Sequence, residues 1–273
     1  MNVRVTSVSK RDQKLSKTGA AVYVINREDI RRSGATNIPD LLRMVPGVDV
    51  AQIDSNQWAI SIRGFNLAAS NKVLVLIDGR SVYINTFSGA FWDVIDVPLE
   101  DIERIEIIRG PGGTVWGANA VNGVINIITK HSRDTKGWLV TAGAGSKETA
   151  EGLAQYGADI GSKGAYRAFG RYVNVDHSAF SGGQRSADGW HEWHEGFRSD
   201  WDLSSRDTLL VSADLLTTAA GGTMKATFPD APPRQADVNR RLTNTSADVL
   251  GRWDHTGEWL RYVVAVLLQC APA

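Results

Sequence analysis

Two stretches of this chain hold residue types that do chemistry in other settings. Gly110-Pro111-Gly112-Gly113-Thr114 has the glycine density of a loop that aims backbone N–H groups at an anion. It lacks the Gly-Lys-Ser/Thr ending whose lysine and hydroxyl engage phosphate and metal, so a nucleotide role is set aside. His191-Glu192-Trp193-His194-Glu195 offers imidazoles and carboxylates to a metal ion, but ligands must converge. On a strand His191 and His194 point to opposite faces. Nothing resembles a nucleophile elbow or a paired-carboxylate site. The single cysteine, Cys270, excludes an internal disulfide and a cysteine-built zinc site. The expectation is a protein with no catalytic residue, no cofactor and no resident metal.

Composition points the same way. Thirty Lys plus Arg balance thirty Asp plus Glu among 273 residues, so no net field draws the chain toward nucleic acid. No run approaches the roughly 20 consecutive apolar residues of a membrane-spanning helix. A closed barrel stays open as an architecture, because it satisfies every backbone group with short alternating strands that hydropathy misses. Met1 runs directly into polar residues without the apolar core of a secretory signal, so an exported form would take its leader from outside this sequence.

The elements that must position any site fall into two halves. Up to about residue 130 the chain reads as α+β, with strands at 21–25, 59–62, 73–77, 104–108 and 123–129 by β-branched content and flanking turn residues. Asp78-Gly79 is a two-residue turn leading into 80–83. Ile38, Leu41, Leu42 and Val45 fall at i, i+3, i+4 and i+7, giving a helix over 38–45 that starts near Thr36 or Asn37 and stops at Pro46-Gly47. A shorter helix over 27–33 ends at Gly34.

Beyond Lys130 the pattern changes to strands of about ten residues with period two. Trp193, Phe197, Trp201 and Leu203 share one face; Glu192, His194, Arg198, Asp200 and Asp202 share the other. Strands are read at 137–145, 150–159, 164–174, 191–203, 207–217, 243–255 and from 258. Most connections alternate between tight turns and the long loops 175–190 and 218–242, as in barrels with periplasmic turns and extracellular loops. Such a wall is incomplete at about seven strands, since outer-membrane barrels have about 8 to 26. The nearly continuous apolar run 260–268 before Cys270 adds the expectation of a truncated or frame-shifted end. The alternation alone would also suit a soluble sandwich, and the connection lengths favour a barrel, so the expected fold class is an α+β unit followed by an antiparallel, all-β membrane-barrel segment.

The first half resembles the plug domain of TonB-dependent outer-membrane receptors. The residues that carry the resemblance are Ile30-Arg31-Arg32-Ser33-Gly34-Ala35, Leu41-Leu42 through Val45-Pro46-Gly47-Val48, Ile60-Ser61-Ile62-Arg63-Gly64-Phe65 and Val75-Leu76-Ile77-Asp78-Gly79. They continue with Ile102-Glu103-Arg104-Ile105-Glu106, Ile108-Arg109-Gly110-Pro111, Trp116-Gly117-Ala118-Asn119-Ala120 and Asn122-Gly123-Val124-Ile125-Asn126-Ile127-Ile128-Thr129. Their order over about 110 residues carries the likeness, and the barrel pattern begins where such a plug ends.

That resemblance implies an N-terminal TonB-box-like segment within 1–15, a plug over 16–130 and the first part of a barrel over 131–273. It implies uptake of a scarce ligand such as a ferric siderophore, haem or cobalamin, with TonB and its inner-membrane energising complex as partner. The location would be the outer membrane of a Gram-negative cell. The alternative is a remnant or a ligand-sensing plug module that does not transport. Val3, Arg4, Val5, Thr6, Ser7 and Val8 sit where the family's TonB box lies, and would add to a partner's sheet edge through main-chain bonds. The family's substrate-facing apices place Asp54, Asn56, Trp58, Asn85, Phe91 and Trp92 at the ligand. Arg63, Glu106 and Arg109 resemble members of its plug-to-barrel charge network.

Overall fold

In a computed structural model the described residues are 4–9, 13–68, 71–84, 89–179, 182–227, 235–257 and 261–270. They form two units, one of residues 1–53 and 57–130 and one of 54–56 and 131–273.

The first unit opens with a two-stranded ladder, β1 (Arg4–Val5) against β2 (Gln13–Lys14). Then come β3 (Val22–Asn26), α1 (Arg27–Ser33), α2 (Ile38–Leu42), β4 (Val48–Gln52), β5 (Trp58–Ile62), β6 (Val73–Ile77) and β7 (Arg80–Ser81). β8 (Ile102–Arg109), α3 (Gly113–Trp116) and β9 (Gly123–Thr129) complete it. The central sheet has the order β3-β8-β9-β6-β7, with β6 and β9 parallel and the other pairs antiparallel. Its middle strands read as continuous apolar runs because both faces are covered. Ile25, Ile105, Ile107, Ile125 and Ile127 are fully buried, and α1 lies against β3 and β8.

α1 spans the residues expected of it. Asn26 accepts the Glu28 and Asp29 N–H groups, the Asp29 carboxylate accepts the Asn26 N–H in return, and Gly34 closes the helix at φ 70°. α2 is shorter than the 38–45 expectation. After Leu42 the chain tightens into turns, with Val45 N–H on the Leu42 carbonyl at 3.1 Å, yet Val45 stays buried beside Ile38, Leu41 and Leu42. Apolar spacing reports which side chains are buried, and those survive a change from helix to turn. β4 is a strand that the sequence reading missed; it pairs with β5 from Val48↔Ile62 to Gln52↔Trp58.

The second unit is one antiparallel sheet in chain order: β10 (Gly137–Gly143), β11 (Glu148–Ile160), β12 (Gly164–Val175), β13 (Trp190–Asp202), β14 (Asp207–Thr227), β15 (Gln235–Thr256) and β16 (Arg261–Cys270). The sheet does not close, so β10 and β16 are its edges. The alternation on β13 is as expected, with Trp193 and Phe197 exposed and Glu192, His194, Arg198 and Asp200 buried. The expected long loop 218–242 is mostly strand instead. β14 and β15 remain in register from Asp207↔His255 to Thr227↔Gln235, a hairpin far longer than the roughly 10 residues needed to cross a bilayer.

The exposed face carries an aromatic row across neighbouring strands: Trp138–Tyr156 at 4.8 Å, then Tyr156–Tyr166 and Tyr166–Phe197, each at 6.3 Å between ring centroids. The opposite face pairs charges. Arg171 reaches Glu151 at 3.0 Å and Glu192 at 3.7 Å, His194 meets Asp214 at 3.3 Å, and Arg198 forks onto Asp200 with both contacts at 2.8 Å. One face apolar and aromatic and the other carrying paired polar groups is the division expected of a membrane-barrel strand. Among the described residues no helix is long and apolar enough to cross a membrane.

The segment that joins the halves is fixed to this sheet. Ser132 donates through its N–H (2.8 Å) and its hydroxyl (2.7 Å) to the Asp200 oxygen that Arg198 also holds. At Gly157 on β11 the Thr135 carbonyl passes 2.2 Å from where a Cβ would stand, so only glycine admits the segment.

Candidate functional site

The N-terminal segment is docked on the first unit. β8 and β9 place Glu106 and Asn126 side by side in register, and both side chains reach Ser7. Glu106, fully buried, accepts the Thr6 N–H at 2.9 Å and the Ser7 N–H at 2.8 Å on one oxygen, and Arg104 Nε at 2.8 Å on the other. Asn126 Nδ2 donates to the Ser7 hydroxyl at 2.9 Å, and the Trp116 indole N–H donates to the Ser7 carbonyl at 2.6 Å. Val5 is fully buried, and Val8 packs against the cluster of Leu74, Leu76, Ile108, Ala120 and Val124. Two main-chain donors that a pairing strand would present are therefore occupied by a charged acceptor, among the stronger hydrogen bonds available. Val3 lies outside the described residues, and of Arg4 only the strand position is described.

The three residues of the expected plug-to-barrel charge network take different partners on the first unit. Arg63, exposed and at φ 59°, lays its guanidinium along Gly110, with Nη1 3.6 Å from where a Cβ would stand. Arg109, next in the chain to Gly110, donates Nη1–H to the Pro46 carbonyl at 2.8 Å. These two cations come from neighbouring positions on the first unit. Glu106 stands apart, committed to Thr6, Ser7 and Arg104.

Among the described apex residues burial differs. Trp58 on β5 and Trp92 in the 3-10 turn Trp92–Val94 are buried, and Phe91 is half-buried. Asn85 lies outside the described residues. Asp54 and Asn56 belong with Ser55 to the second unit, where Asp54 Oδ1 accepts the Asn56 N–H at 3.0 Å and Asn56 is buried. In that unit Ser55 meets the connection between β12 and β13. Its N–H donates to Asp188 Oδ2 at 3.0 Å, its hydroxyl to the Asp188 carbonyl, and its own carbonyl accepts the Trp190 indole N–H at 2.9 Å. Asp188 Oδ1 accepts the Ser178 N–H at 2.8 Å. Burial opposes ionisation of Asp188, but the bonds from Ser178 and Ser55 outweigh it and hold the carboxyl below its ordinary value. Sequence reasoning missed Asp188, because nothing local marks an acid whose donors are main-chain groups far away.

The two stretches weighed first for chemistry have structural work. Gly110 and Gly112 give their N–H groups to the Asn122 and Ala120 carbonyls, both at 2.9 Å, so these amides are not aimed at an anion. His191 contacts Arg241 at 3.1 Å and His194 contacts Asp214, on opposite faces of β13. No group of three metal-binding side chains assembles among the described residues.

Residues 14–124 match the family model described as TonB-dependent Receptor Plug Domain. The vitamin B12 transporter BtuB of Vibrio vulnificus (strain CMCP6) is 40% identical over 144 residues, 52% of this chain and 23% of that protein. The BtuB of Vibrio cholerae serotype O1 (strain ATCC 39541) is 38% identical over 162 residues, 59% of this chain and 26% of that protein. The chain thus spans about a quarter of the curated relatives it matches. Among solved structures, the ferric yersiniabactin uptake receptor FyuA of Yersinia pestis superposes with a TM-score of 0.74 at 17% identity, covering 97% of this chain and 43% of that one. The ferric enterobactin receptor PfeA of Pseudomonas aeruginosa, as a Q482A mutant with enterobactin, gives 0.65 at 21% identity, covering 92% and 41%. These likenesses establish the fold: a plug followed by an open antiparallel sheet.

Proposed function

The chain carries the plug domain of a TonB-dependent receptor, and on that premise we propose that it serves outer-membrane uptake of a scarce ligand, energised through TonB. The observation that carries this reading is the continuity of the match. A plug-family segment at 14–124 runs into seven antiparallel strands with an apolar outer and a paired polar inner face. In this proposal the TonB-facing segment lies within 1–15, the plug is 16–130 and the barrel wall begins at 131. Cobalamin is the first ligand to test, because the relatives at 38–40% identity are vitamin B12 transporters; siderophore and haem chelates follow.

Asp54, Asn56, Trp58, Asn85, Phe91 and Trp92 are proposed for the ligand end. Arg63 and Arg109 are proposed as a cationic pair that seats the plug against barrel carboxylates, with Glu106 holding the coupling segment on the plug. Val3 to Val8 would pair with TonB by strand addition, which needs free main-chain donors. Thr6 and Ser7 are held by Glu106, so engagement requires their release.

The test is capture of the full chain on the periplasmic domain of TonB, comparing wild type, Val5→Pro and Glu106→Gln. Proline removes a main-chain donor from the pairing strand. Binding that Val5→Pro abolishes and Glu106→Gln strengthens supports the reading. Equal binding by all three forms would remove the segment from the coupling role.

A further inference from the structure

The turn at 54–56 and the connection between β12 and β13 are far apart in the chain, lie in the same unit and share one acidic side chain. Asp188 is 2% exposed. Its two carboxylate oxygens each take a main-chain N–H, from Ser55 on one side and Ser178 on the other. Its backbone carbonyl takes the Ser55 hydroxyl, while the Trp190 indole holds the Ser55 carbonyl. The connection is closed on itself around this point. Ser186 N–H bonds the Ser178 carbonyl at 2.8 Å, and Gly189 N–H bonds His177 Nδ1 at 3.1 Å.

Only a carboxylate satisfies both amides. An asparagine has one acceptor oxygen, and its NH2 would face the second N–H donor to donor. Buried N–H groups left without an acceptor are costly, so the acid is required by the geometry and is not interchangeable with its amide.

Resting on the uptake reading, we propose that Asp188 is a positioning residue for ligand capture. It ties the turn bearing the ligand candidates Asp54 and Asn56 to residues 176–179 and 182–189 of that connection, so that the two segments respond to ligand as one element. Ligand engaged by either segment is then registered at the other through a single side chain.

The test follows amide hydrogen exchange at Ser55 and Ser178 in the full chain in detergent micelles, for wild type, Asp188→Asn, Asp188→Ala and Asp188→Glu, with cyanocobalamin and ferric enterobactin as probes. In Asp188→Ala both amides are expected to exchange about tenfold faster or more, and probe affinity to fall about tenfold. Asp188→Asn should release one amide and keep the other, and Asp188→Glu should recover part of both. In wild type, probe should slow both amides together. Unchanged exchange at either amide in the Ala variant overturns the tie, and release of both with unchanged affinity overturns the positioning role. Failure of wild type to bind either probe overturns the ligand half of this inference for cobalamin and enterobactin, whereas the amides still report whether the two segments are tied.

Discussion

The amide of Ser7 donates a 2.8 Å hydrogen bond to the carboxylate of Glu106, ninety-nine residues further along the chain. Together with the bonds from Thr6, it makes one buried acid the seat of the N-terminal segment. Removing the charge while keeping the shape isolates that role. Glu106→Gln is expected to lower the stability of the docked segment by about 1–3 kcal/mol, the cost of leaving buried donors poorly matched. Limited proteolysis should then cut before residue 15 well before the rest of the first unit. Equal cleavage of both forms would refute the latch.

Gly123 opens β9 where there is no room for a side chain. A Cβ there would stand 2.5 Å from the Ile108 carbonyl oxygen and 2.6 Å from Ile62 Cδ1. Gly123→Ala is expected to destabilise the first unit by about 1–3 kcal/mol through overpacking against backbone that cannot retreat. Urea denaturation followed by tryptophan fluorescence reads the change; a midpoint equal to wild type would show that the strand shifts freely.

Asp188 predicts a pH response. Its folded pKa lies below the unfolded value of about 3.9, so its contribution is fully present above that value and is lost as pH falls through the lower folded value. Titratable groups on the two joined segments include Asp54, His177, which accepts the Gly189 N–H, and the Asp176–Arg185 pair at 3.8 Å. Amide exchange at Ser178, corrected for its intrinsic pH dependence, should lose protection below about pH 4 in wild type and be flat over that range in Asp188→Asn. Matching profiles would place the titration elsewhere.

The Ser132–Asp200–Arg198 cluster predicts where the joining segment yields. Asp200→Ala removes the acceptor of both Ser132 bonds and of the Arg198 fork, a loss of about 3–5 kcal/mol for a buried charged pair. Trypsin should then cut at Arg133 and Lys136 faster than in wild type, where Arg133 bonds the Lys163 carbonyl and Asp202 and Lys136 bonds Asp159. An unaltered digestion pattern would mean that the segment is held without Asp200.

Much of the first unit was legible because its strands are apolar runs with turn residues at their ends, as at Val73–Ile77 before Asp78-Gly79. β4 was not, since Asp49, Ala51 and Gln52 are exposed and its pairing with β5, not a core, makes it a strand. The upper part of the β14–β15 hairpin failed for a related reason. Ala219-Ala220-Gly221-Gly222 has little strand preference, and main-chain pairing with 240–243 carries it. The segment Val3 to Val8 was read as β-prone, and of it Arg4–Val5 is strand. Its docking was not legible, because Glu106 receives amides that every residue possesses. The same holds for Ser55 and Ser178 on Asp188: long-range acceptors of backbone groups leave no pattern in side-chain chemistry.

The placement of β3 has a mechanical consequence. Among the central strands it comes first in the chain and also lies at the margin of its sheet, joined to β8 alone over Val22↔Ile108 to Asn26↔Arg104. A load entering from the N-terminus therefore meets, in order, a two-residue ladder, one buried carboxylate and a marginal strand. The parallel β6–β9 pair lies deeper, beyond β8, and keeps its own bonds while these give way. Of these stages only the loss of β3 touches the five-stranded sheet, and because β3 is at its margin the sheet is shortened without being cut in two.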